Sequence, residues 1–344
     1  MEETASKSME IKKIKFDGFY LPGTKEYNRE AKLILQLLER HYDVQISDAP
    51  DYIFYSVDGA DYYKYDCIRI FCTIEALAPD FNLADYGIGF EYIDYTDRYF
   101  RFPNYIFYAG LAEKMADKHK NITKDMASRD FCSFVYSNAA AAPKRGELFH
   151  VLSKYRRVDA GGAYLNNMPD GKRVEDKFDF ECSHKFSIAC ENATHPGYHT
   201  EKLAEAFAAR TVPIYWGDPE VKKVFNSKAF INADDYETEE DLLKAIEELD
   251  QNEDKYLEML REPALISNPA DGKLFEEELL KQLEDYLVHI MDQPLEKAYR
   301  RNLGFWGEQY LDRKRCESRI IDKYMCLRNG FVGRLFRKIK KQDV

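Results

Sequence analysis

Short apolar strands alternate with helical segments in two successive runs along this chain, and this alternation limits the possible folds more than any other feature. The first run comprises, in chain order, a strand at 11–19, a helix at 26–41 and strands at 42–46, 52–57, 68–73 and 86–90. The later strands are brief and largely apolar, as is typical of parallel strands buried on both faces. Strands and helices in this order predict βαβ units and an α/β fold.

A second run of the same kind follows and ends in an acidic helical region. It comprises a strand at 130–136, a helix at 144–155, a strand at 185–190, a helix at 200–210, a strand at 211–215 and an amphipathic region at 238–262 that Thr238 opens. Because 344 residues exceed the roughly 100–200 of one usual domain, we predict two doubly wound domains that share a cleft. The predicted domains are 1–127 and 128–300, with a helical segment at 301–344. The charged stretch 114–129 suits a linker or an exposed helix.

The composition disfavours several classes of protein. A net charge of -11 argues against binding to nucleic acid, which needs a basic face to meet the phosphates. No apolar run approaches the ~20 residues of a membrane-spanning helix. The first residues lack the sections of a secretion signal, so we expect a cytoplasmic protein. The seven cysteines include no Cys-x-x-Cys pair, which predicts reduced and mostly buried thiols.

The most informative segment is a loop between a strand that stops at Glu191 and a helix that Thr200 is placed to cap. This loop follows the carboxyl end of a strand, where open α/β sheets bind ligands, and a helix N-terminus at that place suits phosphate. Lys202 lies in the first helical turn, against the preference of the helix dipole, so an anion bound nearby would account for it. A solvated lysine on an ordinary helix is the alternative that the spacing leaves open.

Common nucleotide-binding signatures are missing from the sequence. The segment 87–92 lacks the third glycine of a dinucleotide fingerprint, and no Gly-Lys-Ser/Thr loop of the P-loop kind occurs. Both observations disfavour a dehydrogenase and a P-loop ATPase. No Asp-x-Asp spacing occurs that could hold a metal together with a nucleotide sugar. Side-chain cations would therefore have to meet the charge of any phosphate.

The segments 191–203 and 212–217 resemble the signature of the α1,3/1,4-fucosyltransferases, glycosyltransferase family 10, and especially of its bacterial members. The first segment contains Glu-Asn followed by Tyr-His-Thr-Glu-Lys-Leu, and the second is Val-Pro-Ile-Tyr-Trp-Gly. Further similarity lies, in the order of the family, at 69–75, 79–90, 97–101, 134–138, 143–145 and 158–162. The resemblance extends over about residues 65–265.

This resemblance implies an inverting enzyme of the GT-B fold, with two Rossmann-like domains facing a central cleft and with C-terminal helices. Such an enzyme moves L-fucose from GDP-β-L-fucose, bound by the second domain, to an N-acetylglucosamine hydroxyl held by the first. We expect α1,3 transfer to O3 of N-acetylglucosamine in N-acetyllactosamine-type acceptors, which is the chemistry of Lewis-type antigens. The alternatives are an α1,4 linkage, another GDP-sugar, or a non-catalytic module that binds a glycan or a nucleotide.

On the acceptor side, the resemblance implies that Glu75 is the general base. A carboxylate suits this role because the acceptor hydroxyl must lose its proton while it attacks the anomeric carbon from the face opposite GDP. The alternatives for Glu75 are a surface carboxylate at a strand end and a carboxylate that caps a helix. The competitors nearby are Glu91, Asp94 and Asp97, and the tyrosines on the presumed acceptor side are Tyr92, Tyr95 and Tyr99.

On the donor side, the resemblance implies that Arg145 and Lys202 stabilise the charge that accumulates on GDP. Because Lys144 is adjacent, the assignment of Arg145 is open by one position. The alternative is that both residues are exposed charges at the start of a helix. A cation about 4 Å from the charge would contribute roughly 4 kcal/mol at an effective dielectric constant near 20, so two cations could replace a metal. We therefore expect no cofactor and a dispensable divalent metal. The remaining donor-side residues are Asn192, Tyr198 and Gly161 for the nucleotide and Glu201 for hydroxyls of ribose or fucose.

The C-terminal residues 328–344 carry six lysines or arginines against a single acid. Apolar residues recur there at helical spacing, which is typical of a basic amphipathic helix at an anionic membrane. We expect peripheral contact with the inner face of the cell membrane, and the alternative is a helix that packs on the protein body or on a partner. The sequence also differs from the family in showing neither the membrane anchor of animal members nor the heptad repeats of some bacterial ones.

Overall fold

Two β-sheets form the framework of the protein in this computed structural model, which describes residues 9–302 and 304–329. The first sheet contains β1 (Ile11–Asp17), β2 (Asp43–Ile46), β3 (Tyr52–Tyr55), β4 (Ile68–Cys72), β5 (Tyr86–Gly89) and β6 (Tyr99–Arg101). The second contains β7 (Asp130–Phe134), β8 (Val158–Ala160), β9 (His184–Cys190), β10 (Val212–Trp216) and β11 (Ile231–Asn232). The helices are α1 (Arg29–Leu38), α2 (Leu111–Ala116), α3 (Lys144–Leu152), α4 (Lys177–Cys182), α5 (Glu201–Ala208), α6 (Glu239–Gln251), α7 (Glu253–Arg261), α8 (Gly272–Met291), α9 (Leu295–Ala298) and α10 (Phe305–Asn329).

All strand pairs in both sheets are parallel, so the predicted α/β class is confirmed. The strand order is β2-β1-β3-β4-β5-β6 in the first sheet and β11-β10-β9-β7-β8 in the second. Every strand predicted from the two runs is present. The strands that were not predicted are β6, β8 and β11, which have only two or three residues each. Segments of that length are too short to show an apolar pattern.

The predicted acidic helical region at 238–262 consists of two helices. Thr238 caps α6 as expected, and its hydroxyl oxygen accepts a hydrogen bond of 3.1 Å from Asp241 N. The chain leaves the helix at Asn252, whose side chain accepts a hydrogen bond of 3.0 Å from Lys255 N and so caps α7. A second N-cap residue inside the amphipathic pattern therefore divides the region.

The charged stretch 114–129 is less exposed than its composition predicts. Met115 and Lys118 both have no solvent exposure, so the expectation of a linker or an exposed helix is wrong for this part. The ammonium group of Lys118 donates hydrogen bonds to the carbonyl oxygens of Met259 and Leu260, at 3.3 and 3.2 Å. Burial lowers the pKa of Lys118 to about 7. Backbone carbonyls at the end of α7 thus allow a lysine to be buried.

After the strands of the second sheet, helix α8 packs against the first domain. The carboxylate of Glu276 on α8 accepts hydrogen bonds from Gly110 N and Glu113 N, at 2.7 and 3.0 Å. At the end of α8, Met291 O accepts a hydrogen bond of 2.6 Å from Lys12 Nζ on β1. Part of the predicted second domain therefore packs on the first, and the boundaries at 127 and 300 remain predictions.

The C-terminal end of the described chain is α10, and the predicted basic helix at 328–344 lies outside the described residues from position 330 onward. Within the part of the chain that the structure describes, no helix is both long and apolar enough to cross a membrane. The described cysteines are free thiols, and most of them are buried, as predicted.

Asp85 joins the C-terminal segment to the first sheet. Its fully buried carboxylate lies 3.0 Å from Arg301 Nε and accepts hydrogen bonds from the backbone N–H groups of Arg69, Arg300 and Arg301.

We predict that Asp85→Ala lowers the free energy of unfolding by roughly 3 kcal/mol or more, because it leaves the buried guanidinium of Arg301 without its carboxylate partner. Urea unfolding measures this change. Asp285→Asn, which removes the exposed pair with Lys281, is the control and should have little effect; an equal loss in both variants would contradict the prediction.

Candidate active site

A cavity of about 440 Å³ lies between the two sheets at the carboxyl ends of their strands. Its walls are Arg29, Ile74, Glu75 and Tyr108 from the first domain and Val135, Tyr136, Ser137, Asn138, Arg145, Lys177, Asn192, Tyr198, Thr200, Glu201, Lys202 and Glu205 from the second. The sequence-predicted residues among them are Glu75, Arg145, Asn192, Tyr198, Glu201 and Lys202. Glu75 and Lys202 therefore line one cavity although they are 127 positions apart in the chain.

Glu191 organises the start of α5, although the sequence suggested no role for its side chain. The residue directly follows β9 and has no solvent exposure. Its carboxylate accepts hydrogen bonds from Thr200 N and Thr200 Oγ1, both at 2.7 Å. Thr200 occupies the N-cap position as predicted, but its side chain makes no cap hydrogen bond. The expected side-chain cap is wrong because the hydroxyl proton goes to the buried carboxylate, which is the stronger acceptor.

A glycine allows this carboxylate to fit. The backbone N–H of Glu191 donates to Trp216 O at 2.9 Å, which brings the turn after β10 next to its side chain. A Cβ atom on Gly217 would lie only 2.4 Å from Glu191 Cγ. Any side chain at position 217 would therefore displace the carboxylate that holds the start of α5.

Lys202 is surrounded by oxygen atoms of the protein itself. Its Nζ atom lies 3.2 Å from Glu191 Oε2, 3.2 Å from Glu201 Oε1 and 2.9 Å from Thr200 Oγ1. Burial alone would lower the pKa of Lys202, but Glu191 and Glu201 raise it above its usual value. Two carboxylates thus supply the negative charge that the sequence analysis expected from a bound anion. The pKa of Glu201 is about 2, since its burial is outweighed by Lys202 and Lys177.

Arg145 is the buried cation of the cavity wall without a balancing carboxylate. Its side chain is 1% exposed and donates hydrogen bonds to Asn138 O, Cys190 O and Asn192 Oδ1, at 3.1, 3.0 and 2.8 Å. The guanidinium lies 4.1 Å from the centre of the Tyr136 ring, which stacks against it. Among the described residues, no carboxylate is within 4.0 Å, and the buried Nε atom has no hydrogen-bond partner. A buried positive charge of this kind suits an anionic ligand.

Glu75 contacts the loop between β9 and α5 through Tyr198. The base candidate is exposed, and its backbone N–H donates to Thr73 Oγ1 at 3.0 Å. The phenol of Tyr198 donates a long hydrogen bond of 3.4 Å to Glu75 Oε2, while its ring lies 5.1 Å from that of Phe90. Burial and the nearby carboxylates, Glu191 first, raise the pKa of Tyr198, so the phenol remains a donor. Its predicted contact with the nucleotide remains a prediction.

Gly161 is not part of the cavity wall. Its N–H donates to Phe134 O at 3.0 Å, and a Cβ atom on it would lie 2.6 Å from Val174 Cγ1. The structure therefore gives this glycine a packing role beside the second sheet. The nucleotide contact predicted for it has no counterpart in the cavity.

The competing carboxylates and the presumed acceptor-side tyrosines also lie outside this cavity wall. Glu91 is 2.9 Å from His195 Nε2, and Asp97 is 2.6 Å from Arg300 Nη2. Tyr92 packs against Arg101, and Tyr95 packs against Arg98. Tyr99 packs against Gly87 and Gly89. Asp94 is exposed and likewise absent from the wall. Of the four acidic candidates, Glu75 alone faces the cavity.

A second paired cation lies in the wall and was not predicted from the sequence. Lys177 on α4 forms an ion pair with Glu205 and lies 3.7 Å from Glu181. Burial raises the pKa of Glu181 to about 7, and one of its oxygen atoms has no hydrogen-bond partner. The spacing of Lys177 and Glu181 by four residues is a helical ion-pair signal, but it does not indicate which side chain faces a cleft.

The structure contains one group of potential metal ligands within the described residues, and it lies away from the cavity. The ligand atoms of Asp130, Asp159 and His184 are within 4.8 Å of one another. These residues are at or near the amino-terminal ends of β7, β8 and β9, whereas the cavity is at the carboxyl ends.

Comparison with known proteins gives matches for both halves of the chain. A model described as the alpha-(1,3)-fucosyltransferase FucT N-terminal domain matches residues 14–108, and a glycosyltransferase family 10 (fucosyltransferase) C-terminal model matches residues 126–261. The chain is 34% identical to the alpha-(1,3)-fucosyltransferase FucT of Helicobacter pylori over 240 residues, which are 60% of this chain and 49% of that protein. It thus spans about half the length of that relative.

Two further matches support the same relationship. Human 4-galactosyl-N-acetylglucosaminide 3-alpha-L-fucosyltransferase FUT6 is 30% identical over 138 residues, 39% of this chain and 37% of that protein. A crystal structure of an alpha1,3-fucosyltransferase with GDP-fucose is 28% identical, with a TM-score of 0.65, over 88% of this chain and 96% of the solved one. The two facing parallel-sheet domains are the GT-B fold. The chain belongs to glycosyltransferase family 10, the fucosyltransferases.

Proposed function

We propose that this protein is an inverting α1,3-fucosyltransferase that moves L-fucose from GDP-β-L-fucose to O3 of N-acetylglucosamine in N-acetyllactosamine-type glycans. The observation that carries the proposal is the shared cavity, which joins the carboxylate of Glu75 on one domain to the unbalanced cation of Arg145 on the other. The printed names of the relatives, which include 4-galactosyl-N-acetylglucosaminide as an acceptor, support this donor and acceptor.

The donor binds to the second domain. Its diphosphate meets Arg145, whose charge no carboxylate of the described chain balances within 4.0 Å, and Lys202 at the start of α5. As the bond between fucose and phosphate breaks, negative charge grows on GDP. Positive groups that are already in place stabilise this charge without reorganisation of solvent. Glu201, which shares its charge with Lys202, is within reach of hydroxyls of the same ligand.

The acceptor binds to the first domain with its O3 hydroxyl at Glu75. The carboxylate takes the hydroxyl proton as the oxygen attacks the anomeric carbon from the side opposite GDP. Attack on that face inverts the β-linked donor and gives an α-linked product, by the same geometry as in inverting glycosidases. Tyr198 donates its hydrogen bond to Glu75 and so orients the base toward the donor loop.

No divalent metal takes part in this mechanism, because side-chain cations meet the charge of the diphosphate. We expect that dialysis against EDTA leaves kcat and KM for GDP-fucose within about two-fold of their values in magnesium buffer. Radiolabelled transfer to N-acetyllactosamine measures this. Loss of activity in EDTA that returns on addition of metal would contradict the cation mechanism.

The general base is tested by Glu75→Gln. We predict that transfer falls by at least about 10²-fold, the lower end of what general-base catalysis contributes, because the amide cannot accept the proton. GDP binding, measured by calorimetry, should be unchanged, since Glu75 contacts the donor loop only through a 3.4 Å hydrogen bond. The matched control is Asp94→Asn, an exposed acid outside the cavity wall, which should retain activity. Retained turnover in Glu75→Gln, or loss in Asp94→Asn, would place the base elsewhere.

The two cations are tested by measuring GDP affinity. We predict that Arg145→Gln weakens GDP binding by roughly ten- to a hundred-fold, or about 1.4–2.8 kcal/mol. Lys202→Ala should have a smaller effect, because Glu191 and Glu201 already balance much of its charge. Lys144→Ala is the matched control, since Lys144 lies next to Arg145 in the chain but outside the cavity wall.

Thermal unfolding of each variant shows whether the fold is intact. An unchanged affinity in Arg145→Gln would contradict the diphosphate assignment. A loss in Lys144→Ala as large as that in Arg145→Gln would move the assignment by one position.

A further inference from the structure

A second, smaller cavity adjoins the general-base candidate. It measures about 120 Å³ and shares Ile74 and Glu75 with the larger cavity. Its walls come from the carboxyl ends of β1, β3 and β4 and from the first turn of α1. A group bonded close to an acceptor hydroxyl at Glu75 can therefore enter this cavity while fucose occupies the larger one.

Glu30 is a buried carboxyl group in the wall of this small cavity. It is only 5% exposed, and burial raises its pKa. Arg29 Nε is 3.9 Å away, beyond hydrogen-bond distance, and no side chain in the described part of the chain donates a hydrogen bond to Glu30. The backbone N–H of Glu30 donates to its own carboxylate, which still leaves acceptor positions of this group unused, because a carboxylate has about four lone-pair sites. This carboxylate is well suited to accept an N–H group of a ligand.

Asn28 offers the complementary hydrogen-bond donor. Its Oδ1 atom caps α1 by accepting a hydrogen bond of 3.1 Å from Ala31 N. Its Nδ2 group, in the same cavity wall, makes no hydrogen bond with any described residue. The buried side chains of Phe19 and Cys72 add apolar surface to the wall. The cavity therefore presents an acceptor, a donor and an apolar surface, which together match an acetamido group.

The structure of the acceptor sugar also points to an acetamido group in this cavity. With O3 of N-acetylglucosamine at Glu75, the neighbouring substituents are the N-acetyl group on C2 and, in N-acetyllactosamine, a galactosyl residue on C4. The cavity measures about 120 Å³ against about 440 Å³ for the larger one, so it suits a small substituent rather than a second sugar ring. An acetamido group has four non-hydrogen atoms, whereas a hexose ring has many more.

We propose that the small cavity binds the N-acetyl group of the acceptor, with Glu30 accepting its N–H, Asn28 donating to its carbonyl oxygen, and Phe19 and Cys72 contacting its methyl group. This inference rests on the proposed fucosyl transfer to N-acetylglucosamine and assigns the residues that select this sugar. Glu30 and Asn28 are specificity residues in this account, and neither contacts the reacting atoms.

The test compares two acceptors that differ in this group. N-acetyllactosamine carries an acetamido group where lactose has a hydroxyl. We expect the wild type to favour N-acetyllactosamine in kcat/KM, and Glu30→Ala to lower that value about ten-fold, chiefly through KM. The value for lactose should change less than two-fold. Asn28→Asp should act in the same direction, because aspartate keeps the helix cap but removes the amide donor.

Controls separate specificity from stability. Glu39→Ala alters an exposed acid at the other end of α1 and should leave the ratio between the two acceptors unchanged. KM for GDP-fucose and the thermal midpoint should stay near wild type in all three variants, since no side chain among residues 9–302 and 304–329 hydrogen-bonds to the carboxylate of Glu30. Equal losses on both acceptors, or an unchanged ratio in Glu30→Ala and Asn28→Asp, would overturn the proposal.

A binding measurement separates this inference from the proposed function. In saturation-transfer NMR of N-acetyllactosamine with the GDP-loaded protein, the acetyl methyl protons should receive the strongest saturation, and Glu30→Ala should reduce it. This result without any fucose transfer would contradict the proposed function and retain the acetyl site. Transfer without preferential saturation of the methyl group would contradict the acetyl site and retain the proposed function.

Discussion

The donor side of the cleft depends on one buried carboxylate, that of Glu191. With no solvent exposure, it must find its hydrogen bonds inside the protein, and it finds them at Thr200 and Lys202. These contacts join the end of β9 to the first turn of α5, and Gly217 leaves the space for them. Lys202 is therefore held in position by the protein before a donor arrives, which is the kind of preorganisation that stabilises charge in a transition state.

Because of this arrangement, Lys202 and Arg145 have different roles in the proposed mechanism. The charge of Lys202 is shared with two carboxylates, so the field that it adds to the cleft is reduced. Arg145 is held by neutral oxygen atoms and by the ring of Tyr136, and its charge is not offset by a carboxylate within 4.0 Å among the described residues. In the proposed mechanism, this difference makes Arg145 the main attraction for the diphosphate and Lys202 a fixed partner at the helix start.

The sequence was informative where the relevant signal is local. The strands longer than three residues, the α/β class and the loop from Glu191 to Lys202 follow from apolar patterns and turn residues over short spans. Resemblance to a family added Glu75 and Arg145, and both line the cavity. The partnership of Glu191 with Lys202 was missed because a charge pattern does not show which carboxylate is buried. The contact between Tyr198 and Glu75 joins positions 123 apart, and no local pattern could indicate it.

The central claim is that the acceptor oxygen, deprotonated by a base on one domain, attacks the anomeric carbon from the face opposite the diphosphate, which cations on the other domain bind. NMR analysis of the product made from GDP-β-L-fucose and N-acetyllactosamine tests this claim most directly, since it reports both the anomeric configuration and the linkage. The account predicts α-linked fucose on O3 of N-acetylglucosamine. A β-linked product would contradict it, because retention of configuration cannot arise from a single attack opposite the leaving group.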